Sequence, residues 1–145
     1  MVSVLNLTAK VIQKYKKESV SKLIKLAEKH FNAYIRLRDD RGGYFVCISC
    51  NSTKAITTAY HAGHYLSAGH HSYHRFNELN VHGQCLRCNC HLHGNLIPYR
   101  TNLVKKIGEQ AVLELESTKN LSIKWDRLDL IAIIETYKSK LKQAA

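Results

Sequence analysis

This sequence predicts an α+β fold, predominantly helical, and three observations carry that reading. Apolar residues recur at helical period near both ends, two Cys-x-x-Cys pairs punctuate the middle, and a short β-prone, histidine-bearing segment lies between those pairs. The expected segments are a basic helical region over 1–43, a cysteine-pinned core over 44–97 and C-terminal helices over 98–145, forming one compact domain. With 145 residues the chain can bury a modest core, and no apolar run approaches the length of a membrane span.

Residues 8 to 38 read as a helix. Val11, Ile12, Tyr15, Val20, Leu23, Ile24, Leu26, Ala27 and Phe31 recur at helical spacing, with Lys10, Lys14, Lys17, Lys22, Lys25 and Lys29 mostly between them. One face packs and the other is cationic. Asp39 to Gly43 breaks the pattern, and Tyr44-Phe45-Val46 reads as a strand leading into the first cysteine pair. Thr57 to Tyr65 is β-prone, Leu66 to Leu79 is irregular, and Asn89 to His93 begins a helical turn that Gly94 and Pro98 limit. The order is strand, loop, strand, helix. Residues 99 to 116 suggest two helical pieces parted near Gly108, and Trp125 to Leu141 suggests a closing amphipathic helix with Leu128, Ile131, Ile134, Tyr137 and Leu141 on its apolar face.

Cys47, Cys50, Cys85 and Cys88 form two knuckles of paired thiols, the donor set of a closed tetrahedral Zn²⁺ site. About 34 residues separate the pairs, so such a site would clamp an insert large enough to have its own function. Two disulfides or four unrelated buried thiols are the alternative. Met1 to Leu5 shows no signal-peptide pattern and runs into a lysine-rich stretch, which points to a reducing cytoplasm and therefore to metal. Cys90 is left over, and reads as a free thiol.

The charge is lopsided: 22 Lys and Arg against 11 Asp and Glu give a formal net charge of +11. A polyanionic partner such as nucleic acid suits that balance, with an anionic membrane surface or a merely solvated lysine face as competing readings. Between residues 42 and 100 Glu78 is the single acidic side chain. That argues against a two-metal site built from clustered carboxylates. Eight of the nine histidines fall within residues 60 to 93, and imidazole, titrating near neutrality, can act as a base or bind metal. His30, His70, His71 and His82 suit surface or satisfied core positions better than His64 does.

Several strings in order carry a family resemblance: Cys47-x-x-Cys50, His61-Ala62-Gly63-His64-Tyr65, Arg75 through Asn89, His91-Leu92-His93-Gly94-Asn95, and Tyr99-Arg100. Over roughly residues 44 to 116 the chain resembles the NinG (Rap) recombination nucleases of lambdoid phages. The resemblance implies a zinc-pinned ββα-metal core of the HNH, or His-Me finger, type, flanked by N- and C-terminal helices. It implies an endonuclease acting on branched DNA such as Holliday junctions and D-loops in the cytoplasm of a bacterial host. By position, His64 matches the general base, Asn80 the asparagine that braces the hairpin loop, and Asn89 the polar metal ligand that follows the last zinc cysteine in phage endonuclease VII. His91 lies in a string typical of the family, where metal, phosphate or the hairpin itself could be its contact.

The family usually reads Asp-Ala-Gly-His where this chain has His61-Ala62-Gly63-His64. Imidazole thus replaces a carboxylate ligand, as in the histidine-rich sites of colicin-type HNH nucleases, and His93, four residues after Asn89, could complete the set. Mg²⁺ or Mn²⁺ is the expected catalytic ion, with other divalent ions admitted. His61 and His64 would share one phosphate only if a bulge at Gly63 reconciled their faces. Arg75, Arg87 and Arg100 are the candidate phosphate forks, a structural ion pair being the alternative for Arg100. Paired cuts across a two-fold junction favour a homodimer through the apolar faces of the terminal helices. Two other readings stand beside this one: a non-catalytic zinc-ribbon DNA-binding module, and an HNH nicking nuclease acting on ordinary duplex.

Overall fold

The computed structural model describes residues 7–145, so the expectation for Met1 to Leu5 lies outside the described residues. The protein is α+β and about 55% helical. Its contacts group the chain differently from the consecutive segments 1–43, 44–97 and 98–145: one unit joins the N-terminal residues through Tyr34 to Lys124–Ala145, and the other runs from Ile35 to Ile123.

In the first unit the helix expected over 8 to 38 is two helices, α1 (Ala9–Lys14) and α2 (Val20–Asp39), the second extending into the other unit. Local chemistry explains the break. Ser19 Oγ accepts the Lys22 N–H at 3.2 Å and starts α2 afresh, while the Arg127 guanidinium donates to the carbonyls of Tyr15 (2.9 Å) and Glu18 that the interruption exposes. The closing helix, α5 (Arg127–Gln143), begins at Asp126, whose Oδ1 accepts the Asp129 N–H at 2.9 Å.

Leu130 to Ile134 are all buried, so α5 buries more than one stripe, whereas Leu128 of the expected apolar face is exposed. Phe31 meets Tyr137 edge-on at 4.9 Å, and Leu23 and Ala27 are fully buried. The expectation that the apolar faces of the terminal helices form a dimer interface is therefore corrected. Most of the α2 and α5 faces is covered within one chain, while Ile12, Val20 and Leu128 remain exposed.

In the second unit β1 (Tyr44–Val46) pairs antiparallel with β2 (Thr53–Ala55), a short exposed strand the sequence did not announce. β3 (Tyr60–His64) pairs antiparallel with β4 (Val81–Cys85) in a continuous register from Tyr60 opposite Cys85 to His64 opposite Val81. Residues 65–80 form the connecting loop, with single 3-10 turns at Ser72–His74 and Glu78–Asn80. After β4 comes a wide π turn, Arg87–His91, closed by the Leu92 N–H on the Arg87 carbonyl at 2.8 Å.

Then α3 (Leu96–Ile107) and α4 (Glu109–Ser117) part at Gly108, which adopts φ +90°. Pro98 sits in the first turn of α3, where no helical partner is needed for its missing N–H. Ile48, Leu66, Tyr99, Leu103, Val112 and Leu115 form one core cluster, and Phe45 stacks on Tyr60 at 4.0 Å beside the buried cysteines. No helix among the described residues is long and apolar enough to cross a membrane.

Candidate metal centre and hairpin site

The two knuckles converge. The Sγ atoms of Cys47, Cys50, Cys85 and Cys88 all lie within 4.8 Å of one another, with Cys50 and Cys85 at 3.9 Å, and all four are free thiols. Tetrahedral Zn–S bonds of about 2.3 Å require S···S separations of about 3.8 Å, so the donors fit zinc in both kind and spacing. The Cys85 N–H points to Cys47 Sγ at 3.4 Å and Asn95 Nδ2 to Cys88 Sγ at 3.4 Å, contacts that stabilise negative sulfur. Burial pushes the Cys47 thiol up to about 12, whereas at Cys50 the Ser52 hydroxyl and backbone outweigh burial and bring it down to about 6. A dication at the centre favours the thiolate at all four.

Those cysteines anchor a hairpin whose central atoms are tied down in several ways. Asn80 is fully buried: its Oδ1 accepts the Leu66 N–H at 2.8 Å, and its Nδ2 donates to the Leu66 carbonyl at 2.9 Å and the His74 carbonyl at 3.2 Å. One amide thereby braces both ends of the loop. The buried Tyr99 hydroxyl donates to the Gly63 carbonyl at 2.7 Å, and burial holds that phenol in its protonated form. Gly63 is required by close approach, because a Cβ there would collide with Gln84 Oε1 and lie 2.9 Å from the less mobile Gln84 Cβ.

His64, half-buried at the end of β3, places Nε2 2.9 Å from the Arg75 carbonyl oxygen. A carbonyl only accepts, so Nε2 carries the proton and Nδ1 bears the lone pair of the neutral ring. His61 stands three residues earlier on an unbroken register and so on the opposite strand face; the bulge that Gly63 would have allowed is absent. Asn89 lies half-exposed and His91 exposed on the π turn. His93 falls beyond that turn with φ +50°, so it does not share a continuing helix face with Asn89 as its spacing suggested. Among the described residues the cysteines are the group of three or more His, Cys, Asp or Glu whose donor atoms converge, and His61, His91 and His93 form no such group.

Of the expected phosphate forks, Arg87 is exposed and Arg75 is half-buried, its guanidinium reaching the Ala68 carbonyl at 3.4 Å. Arg100 forks onto Glu116 at 2.6 and 3.0 Å, and Glu116 also accepts the Tyr65 hydroxyl at 2.7 Å. Lys10, Lys14, Lys17, Lys22, Lys25 and Lys29 are all exposed on α1, α2 and the link between them. Cys90 is exposed and stands outside the sulfur cluster.

A buried network about Asp39 escaped the sequence reading. Arg38 grips the Asp39 carboxylate through Nε (2.8 Å) and an NH2 nitrogen (3.0 Å), and also donates to the Glu78 and Val81 carbonyls and to His82 Nδ1. Asp39 in turn accepts the Gly83 N–H at 2.8 Å and pairs with Lys106 at 3.2 Å. Burial raises the Asp39 carboxyl, yet Arg38 and Lys106 more than reverse this and lower it to about 2. Burial lowers His82 to about 4, leaving it neutral, with Nε2 donating to the Leu79 carbonyl at 3.0 Å. The available signal was an aspartate at a helix C-terminus, where the dipole disfavours an anion and a cationic partner is needed.

Fold and site together define a small basic α+β protein in which four cysteines, positioned to hold a metal ion, anchor a histidine-bearing hairpin. The family described as bacteriophage lambda NinG protein matches residues 6–145. The chain belongs to this NinG family. It is 43% identical over 120 residues to protein ninG of Escherichia phage lambda, covering 82% of this chain and 55% of that protein. Against protein ninG of Salmonella phage P22 it is 42% identical over 120 residues, with 82% and 56% covered. The chain thus spans about half the length of the curated relatives it matches. No solved structure matches it.

Proposed function

We propose that this chain is a metal-dependent DNA endonuclease of the HNH, or His-Me finger, type that hydrolyses branched recombination intermediates such as Holliday junctions and D-loops. The observation that carries the reading is His64, whose Nε2–H is fixed on the Arg75 carbonyl so that the basic nitrogen is Nδ1. In the neutral ring Nδ1 is then the nitrogen that would take a proton from water. Hairpin, wide turn and flanking helices in that order are compatible with a ββα-metal core, and Asn80 holds the loop that carries Arg75.

Structural Zn²⁺ is assigned to Cys47, Cys50, Cys85 and Cys88. The residues that would hold a catalytic Mg²⁺ or Mn²⁺ are Asn89, His91 and His93 on the segment after β4, which would have to be drawn together to do so, whereas His61 faces away from His64. Such an ion supplies charge neutralisation at the phosphate and the leaving oxygen. The chain's own residues do the rest: His64 takes the proton from the attacking water, Arg75 and Arg87 orient phosphate oxygens, and the lysines of α1 and α2 attract the backbone. Two such sites in a homodimer would make the paired cuts a four-way junction requires, in the cytoplasm of a bacterial host.

Incubating the purified chain with a labelled four-way junction and a matched linear duplex, with Mg²⁺, with Mn²⁺ and with neither, tests this. Ion-dependent cuts confined to the junction are expected. Equal nicking of the duplex would mean an unselective HNH enzyme. A second reading, a zinc-ribbon module that binds DNA without cutting it, is favoured by the convergence of the four cysteines alone, and tight binding with no cleavage under any ion would establish it.

A further inference from the structure

Within the second unit, Arg38, Asp39, Arg41, Val46 and Lys106 line an open cavity of about 280 Å³. It holds three cations against one carboxylate. That carboxylate is fully engaged: Oδ1 receives Arg38 and Lys106, and Oδ2 receives Arg38 and the Gly83 N–H. Asp40, the neighbouring acid, does not line the cavity and accepts the Gly43 N–H at 2.7 Å.

Arg38 directs its donors inward, to Asp39, to His82 and to the Glu78 and Val81 carbonyls. Arg41 is exposed, and its guanidinium makes no hydrogen bond or ion pair among the described residues. Lys106 spends one contact on Asp39 and has two further ammonium hydrogens. Desolvation lowers the Lys106 ammonium, Asp39 opposes this, and Arg38 and Arg41 add to the lowering.

We propose that this cavity is an anion site for a phosphodiester group, in which Arg41 and Lys106 hold an internucleotide phosphate of the bound DNA. The pairing of a planar guanidinium fork with a compact ammonium suits non-bridging phosphate oxygens. Arg38 and Asp39 are its positioning frame. The site is tied to the hairpin through β4, because Val81, whose carbonyl accepts Arg38, is the register partner of His64. This inference rests on the nucleic-acid part of the proposed function and not on cleavage.

The test uses the full zinc-loaded chain without added Mg²⁺ or Mn²⁺. Binding of a labelled linear duplex is followed by fluorescence anisotropy across a salt series for the wild type, Arg41→Ala, Arg41→Lys and Lys106→Gln, each checked for an unchanged thermal melt. Arg41→Ala should weaken binding about three- to tenfold and flatten the log affinity–log salt slope by about one unit, and Arg41→Lys should restore the slope. Lys106→Gln gives a second removal of one charge with the same expected slope change.

Unchanged affinity and slope in both charge-removing variants would overturn the proposal. Titration with inorganic phosphate separates the sources: phosphate binding lost in Arg41→Ala while duplex affinity is untouched would assign the cavity to free phosphate and overturn the DNA assignment. The slope is read without cleavage, so an uncut junction would sink the nuclease reading and leave this result standing.

Discussion

At the scale of single residues, the side chains that matter are those whose protonation is fixed by a neighbour. His64 donates Nε2–H to the Arg75 carbonyl, and the general-base role proposed for it has a characteristic signature on removal. His64→Ala should bind a junction as the wild type does and cut it roughly two or more orders of magnitude more slowly. Cleavage at the wild-type rate would remove His64 from the mechanism.

His82 makes a separate prediction about pH. Its pKa is depressed from 6.5 to about 4 by burial, with Lys106 and Arg38 adding to the effect and Asp39 and the Leu79 carbonyl opposing it. The stability it contributes is therefore fully present above about pH 6.5 and is lost as pH falls toward 4, because the unfolded chain binds the proton first. From pH 7 to 4.5 the wild type should lose about 2 kcal/mol more than His82→Gln, measured by denaturant unfolding. Subtracting the variant removes the part due to thiol protonation, and equal losses would show that His82 does not titrate with folding. His64 was legible in the sequence because a motif surrounded it. The Arg38–Asp39–His82 network was not, because its partners come from α2, β4 and α3 and only the folded chain brings them together.

At the scale of elements, the hairpin and the cysteine knuckles depend on each other. Cys85 is both the last residue of β4 and a member of the sulfur cluster, so the strand ends at the candidate metal site. Elemental analysis should find about one zinc per chain that resists mild chelation, and Cys85→Ser should lose both the metal and cooperative unfolding. A fully folded protein without zinc would sink this. The strands at Tyr44 and Tyr60 and the division at Gly108 were readable from β-prone runs and a breaker residue. The interruption between α1 and α2 was not, since the apolar period runs on through it and the break depends on Ser19 as a cap and on Arg127, distant in sequence, as a carbonyl partner. β2 was missed because it is three residues long and fully exposed, with no buried face to leave an alternating pattern.

For the whole molecule, the sequence announced net charge more clearly than organisation. A formal +11 with six exposed lysines on the N-terminal helices and their link gives a measurable expectation. Replacing three of Lys10, Lys14, Lys17, Lys22, Lys25 and Lys29 should weaken binding to every DNA shape and reduce the salt slope by up to about three units. An unchanged slope would assign those charges to solubility. The grouping of the two chain ends into one unit was not legible, because an apolar helix face shows that it packs but not against what.

The sulfur cluster joins positions 35 apart in sequence, Cys50 and Cys85, and the whole hairpin lies between them. With zinc bound there, the folded fraction becomes a function of the free zinc activity around the protein. Each tenfold rise above the dissociation constant adds about 1.4 kcal/mol to the folded state, and each fall removes as much. A cell that buffers zinc tightly would then set the standing concentration of competent protein without touching its synthesis, and one that withholds zinc would silence the hairpin while leaving its sequence intact.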